Sequence, residues 1–446
     1  MPHDDSLIDT GARPMSEQIV SSTDVHAIKT RVHSLLLERL DFSVMAVGEP
    51  EAIRSQLSIL IMQILEELGA ALTVAELQQV VREIRHDVLG LGPLEVLLED
   101  PTVSDILVNS HRQIYVERRG KLERTEQRFR DDQHLREVIE KIVSAVGRRI
   151  DESSPMVDAR LPDGSRVNAI VPPLAIDGPI LSIRKFNKNM LTLEDLVQMR
   201  ALTAGIGELL TGIVRARLSV VISGGTGSGK TTMLNLLSGF IPSTERIVTI
   251  EDSAELQLRQ DHVLRLETRM ANIEGKGEVT QRALVRNSLR MRPDRIIMGE
   301  VRSDEALDML QAMNTGHDGS LATVHANTPQ DAVARIETMV AMGGLDIPPH
   351  AVRQQIASAI QVVIQVQRLS DGSRKLISLQ EMHGLTDGEI ELREIFRFEQ
   401  VGLGDQGRVK GRFRATGIVP AFLDRLNVRG FAVSQELFDP RQVEEC

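Results

Sequence analysis

The chain has 446 residues, 41% hydrophobic and 26% charged, which is enough for about three domains with apolar cores. Its 52 Lys and Arg against 63 Asp and Glu give a net charge of −11, and only 2% of the residues are aromatic. These values count against an overall basic surface for duplex nucleic acid and against aromatic platforms for single strands.

The cysteine content and the apolar segments of the sequence indicate the cellular compartment in which the protein is expected. Cys446 is the only cysteine, which excludes internal disulfides and a thiolate zinc cluster and is typical of a reducing compartment. The first residues are polar and lack the apolar run of a signal peptide, and the longest apolar stretch, Leu57 to Leu65, is too short to span a bilayer. We therefore expect a cytoplasmic protein that makes any membrane contact only through partners.

The amino-terminal part divides into a tail and a helical module. Residues 1–25 mix polar residues with Gly and Pro without periodicity, which predicts a disordered tail. Residues 26–88 carry three amphipathic patterns at helical spacing, and the third opens on the capping box formed by Thr73 and Glu76. These patterns predict a small module of three helices.

Residues 89–188 predict a two-layer, PAS-like α/β domain. One amphipathic helix is expected around Leu135 to Val146, among short strand patterns. The expected strands are Asp105–Asn109, Ile114–Glu117, Val167–Ile170 and Ile180–Phe186. The run Asn187-Lys188-Asn189 predicts a linker to the next domain.

Residues 189–446 predict a larger α/β domain. Apolar strand patterns alternate with helices there, which indicates a parallel sheet covered on both faces. The expected strands are Leu218–Ser223, Arg246–Ile250, Arg295–Met298 and Leu321–His325. The last part of the chain predicts an antiparallel extension with a hairpin turn at Asp371-Gly372.

The strongest motif is the phosphate-binding loop Gly224–Thr231, between an apolar strand and a helix. Backbone N–H groups of such a loop wrap phosphates, and the helix N-terminus favours the anion. Lys230 is expected to contact the β- and γ-phosphates, and the Thr231 hydroxyl to bind Mg²⁺. The predicted ATP-binding residues are Gly225, Thr226, Gly227, Ser228, Gly229, Lys230, Thr231 and Thr232.

Two further strand patterns end in carboxylates. The segment Glu251–Glu255 follows one strand, and Glu300 closes the strand that begins at Arg295, in the form of a Walker B strand. Carboxylates at the C-terminal ends of parallel strands lie where nucleotides bind. Because a Mg²⁺ ion keeps several waters, Glu300 can interact with it through one of those waters. Taken alone, the first cluster is equally typical of a helix start.

His317 and His325 bracket the last parallel strand. An isolated histidine is more often structural than catalytic, and no cysteine or third ligand lies nearby to make a metal site. We expect the two rings to hydrogen-bond either to phosphate or to a neighbouring subunit.

These four segments together resemble the secretion ATPases of type II secretion, type IV pili and archaeal flagella, the PilT/GspE-like superfamily. The resemblance is most specific to the CpaF/TadA branch, which powers tight-adherence (Flp) pilus assembly, in the stretches Gln281–Arg302 and Ala312–Asn327. The tetracysteine zinc insertion of many type II members cannot form with one cysteine.

The resemblance implies a role for several residues. Glu255 matches the catalytic base, Glu300 matches the Walker B glutamate that supports Mg²⁺, and Arg166 and Arg184 match the arginines that the smaller domain brings to the γ-phosphate. A two-residue turn at Asp163-Gly164 would turn the side chain of Arg160 to the other face, so we rank Arg160 lower. Without the resemblance, each arginine is equally compatible with a solvated strand face.

The resemblance also implies a RecA-like motor domain behind the smaller α/β domain, and a ring of six subunits that use ATP and Mg²⁺. The ring would move an inner-membrane platform protein during pilus assembly, with no direct nucleic-acid contact. Two alternatives are a DNA-transfer ATPase of the same superfamily and a regulatory nucleotide-binding switch. The arginines Arg282, Arg286 and Arg290, at four-residue spacing, predict a subunit interface, a nucleic-acid contact or a solvated helix face.

Overall fold

The computed structural model describes residues 25–39, 50–186, 190–271, 276–344, 346–404 and 407–445. The predicted linker 187–189, Cys446 and all but the last residue of the predicted tail lie outside these ranges. The described residues up to Lys185, apart from two three-residue turns, form one compact unit, and a second unit begins at Phe186. None of the helices in these ranges combines the length and apolar character that a membrane span requires.

The first unit contains five helices and a six-stranded sheet among its described residues. The helices are α1 (Val25–Arg39), α2 (Pro50–Glu67), α3 (Val74–Leu89), α4 (Leu94–Glu99) and α5 (Asp132–Ala145). The strands are β1 (Val103–Ser110), β2 (Gln113–Arg118), β3 (Lys121–Arg124), β4 (Met156–Arg160), β5 (Arg166–Ile170) and β6 (Ile180–Arg184).

Local chemistry explains where these elements begin and which faces they bury. The Thr73 hydroxyl accepts the backbone N–H of Glu76, whose carboxylate accepts the backbone N–H of Thr73, so the predicted capping box starts α3. The sheet has the order β3-β2-β1-β6-β5-β4, and its apolar residues share a buried core with the apolar face of α5. Sequence patterns missed β3 because all four of its residues are exposed.

The second unit contains the larger sheet. Its helices are α6 (Leu193–Gln198), α7 (Ala204–Arg215), α8 (Lys230–Gly239), α9 (Gln281–Ser288), α10 (Glu305–Asn314), α11 (Pro329–Met342), α12 (Pro349–Ala359) and α13 (Leu423–Val428), with a 3₁₀ turn at Gln435–Phe438. Its strands are β7 (Val220–Ser223), β8 (Ile247–Glu251), β9 (Val263–Glu267), β10 (Arg295–Val301), β11 (Leu321–Val324), β12 (Val362–Arg368), β13 (Arg374–Thr386), β14 (Glu389–Leu403), β15 (Val409–Ala415) and β16 (Val443–Glu445).

The order of this sheet is β16-β15-β14-β13-β12-β7-β11-β10-β8-β9. Strands from β12 to β9 are parallel, and the β12–β13 hairpin, which carries the predicted Asp371-Gly372 turn, begins the antiparallel extension. Val220 and Ile222 belong to the core on one face of the sheet, and Val221 to the core on the other. The predicted fold class is confirmed: an α/β chain with a RecA-like P-loop domain and a smaller amino-terminal α/β domain.

A buried arginine ties the start of β10 to its surroundings. The Arg295 side chain is 0% exposed and makes a bidentate pair with Glu245, with N–O distances of 2.7 and 3.1 Å. Its remaining amino group donates to the carbonyls of Val214 and Gly319. A fully desolvated guanidinium of this kind is tolerated only while its counter-charge and hydrogen bonds are complete.

Glu245→Gln is therefore expected to destabilise the fold by about 3–5 kcal/mol, because it leaves a buried charge without a counter-ion. The measurement is the urea unfolding midpoint of the full-length chain. Glu140→Gln is the matched control, since it breaks the exposed pair with Arg136 and should change stability by less than about 1 kcal/mol. Equal effects of the two variants would contradict the role given to Arg295.

Candidate active site

The phosphate-binding loop joins the buried strand β7 to helix α8. Gly229 immediately precedes the helix and has φ = +97°, a left-handed conformation that a side chain at this position would strain. The helix then begins at Lys230, so its first N–H groups lack intrahelical partners and face the loop. This is the local geometry that binds an anionic phosphate.

Lys230 lies over this loop. Its Nζ donates to the carbonyl oxygens of Gly224 and Gly225, each at 2.9 Å. The hydroxyl oxygen of Ser228 is buried and has no hydrogen-bond partner within the described ranges. The loop therefore contains a positive charge that suits a phosphate group. It also contains a buried hydroxyl oxygen that a bound ligand could contact.

The parallel register brings the predicted carboxylates to the same edge of the sheet. Ser223 pairs with Val324 at the ends of β7 and β11, and Met298 of β10 pairs with Ile250 of β8. The residues that follow these strand ends must lie at the edge from which the phosphate-binding loop leaves. Glu251, Glu300 and His325 meet this condition.

Glu300 is surrounded by positively charged or neutral groups. Its Oε2 accepts a hydrogen bond from Arg302 at 2.6 Å, and its Oε1 lies 3.9 Å from Nδ1 of His325. Arg302 also pairs with Asp252 at 3.2 Å. Burial, followed by the charge of Lys230, lowers the pKa of His325, so its ring is a neutral neighbour of Glu300 at pH 7.

The donor set fits a magnesium ion that binds mainly to phosphate and water. Within the described ranges no three His, Cys, Asp or Glu side chains converge as a metal-binding cluster. Mg²⁺ in phosphate sites uses one or two protein oxygens and keeps several waters, so Thr231 and Glu300 are sufficient protein groups. Their use as magnesium ligands stays a prediction.

Glu251, at the end of β8, is the buried carboxylate of the site. Its Oε2 accepts the backbone N–H groups of Glu255 at 2.7 Å and Leu256 at 2.9 Å, so it fixes the turn that carries the half-buried Glu255. Gly299 makes room for it, because a Cβ on Gly299 would lie 2.9 Å from Cγ of Glu251. Burial raises the pKa of Glu251 to about 7, against the lowering effect of the two N–H bonds.

Two contacts to this edge come from residues that the sequence motifs did not indicate. Arg374 of β13 donates from Nε to the carbonyl of Gly227 in the loop at 2.8 Å. Gln365 of β12 donates from its amide to the carbonyls of Ala326 and Asn327 and so holds the segment after His325. Both side chains reach the site only because β12 pairs with β7, and no local pattern reports that pairing.

The two predicted histidines lie at different edges. His317 precedes the first residue of β11, whereas His325 follows its last residue. Nδ1 of His317 lies 3.3 Å from the carbonyl of Ala312, so this ring lies at the edge opposite the phosphate-binding loop. Within one chain the full length of β11 separates His317 from Lys230. Of the two expected roles, a phosphate contact therefore stays a prediction for His325 and a neighbouring-subunit contact stays a prediction for His317.

The arginine stripe near α9 is neutralised within the chain. Arg282 pairs with Asp304 at 2.6 Å and with Asp308 at 2.8 Å, and Arg286 pairs with Asp308 at 2.8 Å. Arg290 lies beyond the helix, which ends at Ser288, so it does not continue the helical face. The predicted use of all three as one face toward acids of another subunit or toward nucleic acid is not supported.

The register of the β4–β5 hairpin differs from the one predicted. The N–H of Leu161 donates to the carbonyl of Ser165 at 2.9 Å, which leaves a three-residue turn, 162–164, with Gly164 at φ = +96°. Arg160 therefore pairs directly with Arg166, and the expectation that it points to the other face is wrong.

This register places three arginines side by side. Arg166 also pairs with Arg184 on β6, and residues directly opposite in antiparallel strands project to the same face. Arg160, Arg166 and Arg184 therefore form one row across three strands of the smaller sheet. Arg184 also pairs with Asp105 of β1 at 3.2 Å.

The raised pKa of Glu251 predicts a pH-dependent stability. The folded chain retains a proton that an unfolded glutamate, with its usual pKa of 4.5, releases, so stability falls as pH rises from about 4.5 to about 7 and is level above that. Glu251→Gln keeps an oxygen for the two N–H groups but cannot ionise. The free energy of unfolding of Glu251→Gln should exceed that of the wild type by up to about 3 kcal/mol at pH 8. The difference should be close to zero near pH 4.5.

The measurement is the urea midpoint of both proteins at these two pH values, with Glu140→Gln as a control for an exposed glutamate. A difference between wild type and Glu251→Gln that does not change with pH would show that folding does not raise the pKa of Glu251.

Comparison with known proteins identifies the family to which the chain belongs. The profile of the family described as type II/IV secretion system protein matches residues 87–421, well over half of the chain. A Mycobacterium tuberculosis protein whose name assigns it to conjugal transfer is 41% identical over 305 residues, covering 67% of this chain and 86% of the relative. The type IV secretion system protein VirB11 of Brucella suis is 31% identical over 316 residues, covering 65% of this chain and 88% of VirB11.

Among solved structures, the pilus retraction motor PilT with bound ADP is 19% identical and covers 77% of this chain and 87% of PilT, with a TM-score of 0.47. Family membership does not depend on that likeness, because the profile match and the sequence identities are sufficient. The chain belongs to the type II/IV secretion system protein family of ATPases.

Proposed function

We propose that this chain binds Mg-ATP at the loop edge of its larger sheet and hydrolyses it to drive movement in a secretion or pilus machine. The observation that carries the proposal is the meeting of the Lys230 loop with Glu251, Glu300 and His325 at one edge. Loop N–H groups and Lys230 hold the phosphates, while Thr231 and Glu300 hold the metal, directly or through water.

The hydrolytic step needs a base for the attacking water. Glu255 takes this role, because Glu251 fixes its backbone and its side chain is half-buried beside the strand ends. A bound magnesium ion would supply charge neutralisation of the phosphate oxygens. Glu251 itself serves as a positioning residue, since its carboxylate is committed to the turn.

The arginine row of the smaller domain supplies charge to the γ-phosphate in this proposal. The support is the resemblance for Arg166 and Arg184, together with the shared face of Arg160. A planar guanidinium can donate two parallel hydrogen bonds to phosphate oxygens, which an ammonium cannot do. We therefore add Arg160 to the two arginines predicted from sequence.

The larger assembly follows the resemblance. We propose a cytoplasmic ring of six subunits in which a helical module (26–88) and an α/β domain (89–188) precede the motor domain (189–446). The ring acts on an inner-membrane platform protein, in the manner of the CpaF/TadA pilus ATPases. Hydrolysis opens and closes each subunit, and His317 contacts a neighbour.

A second candidate, a DNA-transfer ATPase of a type IV secretion system, is favoured by a different observation. The relatives at 41% and 31% identity are named for conjugal transfer and for type IV secretion. The surrounding genes separate the candidates: prepilin and secretin genes support pilus assembly, and a relaxase gene supports DNA transfer. A passive nucleotide switch is disfavoured because Glu255 and Glu300 are both present at the site.

Lys230→Ala is expected to abolish ATP hydrolysis, because it removes the charge that holds the β- and γ-phosphates. The measurement is steady-state phosphate release by the full-length protein. Lys410→Ala is the matched control, since this exposed lysine lies on β15 in the antiparallel extension and should leave turnover unchanged. Wild-type turnover in Lys230→Ala would contradict the site.

Replacing Arg160, Arg166 or Arg184 by Ala is expected to lower turnover by about 10³-fold or more while leaving nucleotide affinity nearly unchanged, because phosphoryl-transfer charge develops mainly in the transition state. Substitution by Lys at these positions should restore little of the lost turnover, because an ammonium lacks the planar fork of a guanidinium. Turnover and ATP-analogue affinity are measured on each variant, with Arg136→Ala as a control in the same unit.

Mixing Arg166→Ala with Lys230→Ala subunits tells whether the arginine serves its own subunit or a neighbour. Restored hydrolysis in the mixture indicates action across subunits, and continued inactivity indicates action within one. Single variants that all turn over like wild type would contradict the role of the row.

A further inference from the structure

The first unit contains a cavity that the proposed ATPase site does not use. Its volume is about 840 Å³, within the range of pockets that hold small molecules. The segment from the end of β3 to the start of α5 forms one wall, and the β1–β2 turn forms another. Four arginines line it: Arg112, Arg124, Arg128 and Arg130.

None of these four guanidinium groups has a carboxylate within ion-pair distance among the described residues. Arg112 donates to Nε2 of His111 at 2.9 Å, and Arg130 contacts Nδ1 of His33 at 2.6 Å. Arg124 and Arg128 are exposed. Arg282 and Arg295, by contrast, each pair with a carboxylate, at 2.6 and 2.7 Å.

The acidic groups near the cavity do not cancel this charge. Asp132 is committed to Nδ1 of His111 at 2.6 Å, and Glu126, at the cavity wall, is exposed. His33 adds no negative charge and accepts from Arg130 as a neutral ring, because burial lowers its pKa to about 4. The lining therefore carries four arginines against the single carboxylate of Glu126, an excess of positive charge in a chain whose net charge is −11.

We propose that the cavity lined by Arg112, Arg124, Arg128 and Arg130 binds a small ligand that carries more than one phosphate group. Guanidinium groups bind phosphate oxygens through two parallel hydrogen bonds, and several of them around one cavity suit several phosphates. The volume of the cavity suits a small molecule, whereas nucleic acid needs a long basic track with stacking aromatics. The phosphates can belong to a free metabolite or to a lipid headgroup.

The test uses inorganic tripolyphosphate as the probe, titrated calorimetrically into full-length protein without magnesium. The protein carries Lys230→Ala so that the phosphate-binding loop contributes little heat. We expect binding at micromolar concentration. Arg124→Gln and Arg128→Gln should each weaken it about tenfold, the loss expected for one charge-assisted contact. Arg136→Gln removes the same charge from the exposed face of α5 and should change affinity less than twofold.

Vesicles of phosphatidylcholine with and without phosphatidylglycerol distinguish the two sources. If the protein sediments with the anionic vesicles and the Arg124→Gln, Arg128→Gln double variant does not, the ligand is a lipid headgroup. Arginine-dependent binding of tripolyphosphate without vesicle binding identifies a free ligand. The proposal is overturned if tripolyphosphate does not bind at millimolar concentration, if the double variant binds it like the parent, or if only duplex DNA binds in an arginine-dependent way.

Discussion

The alignment of strand ends in the larger sheet is the constraint on which the candidate site depends. Because β7, β11, β10 and β8 are parallel, each delivers its next residue to the same edge. The phosphate-binding loop, His325, Glu300 and the turn after Glu251 are thus neighbours in space although they are far apart in sequence. The buried pair of Arg295 and Glu245 helps fix this alignment from the other end of β10.

Glu251 shows how stability and function oppose each other at this edge. A carboxylate that is 3% exposed is costly to ionise, yet its two backbone hydrogen bonds are the contacts that shape the turn at Glu255. Gly299, in the adjacent strand β10, has no side chain at the point where Glu251 packs. A buried carboxylate with a raised pKa is typical of functional sites.

Local sequence patterns were enough to predict the loop between β7 and α8 and the strands β8 and β10, which carry Glu251 and Glu300 at or near their C-terminal ends. Each of these is encoded within about ten residues, and the fold class followed from the alternation of such strands with helices. Family roles for Glu255, Arg166 and Arg184 came from resemblance, and their catalytic use stays a prediction.

The features that could not be predicted from the sequence depend on strand register or on the pairing of strands that are far apart in the sequence. One residue in the length of the 162–164 turn decided which face carries Arg160. The contacts of Arg374 and Gln365 depend on β12 lying beside β7, which joins residues about 140 positions apart. His317 and His325 look equivalent in sequence, and only the direction of β11 separates them.

We propose that the edge formed by these strand ends hydrolyses Mg-ATP. The most direct test measures ATP-analogue affinity and ATP turnover together on Glu300→Gln. We expect the neutral amide to leave nucleotide affinity within a few-fold of wild type while turnover falls by about 10² or more, because the waters of a bound magnesium ion would lose their charged partner. Unchanged turnover, or loss of nucleotide binding itself, would contradict this proposal.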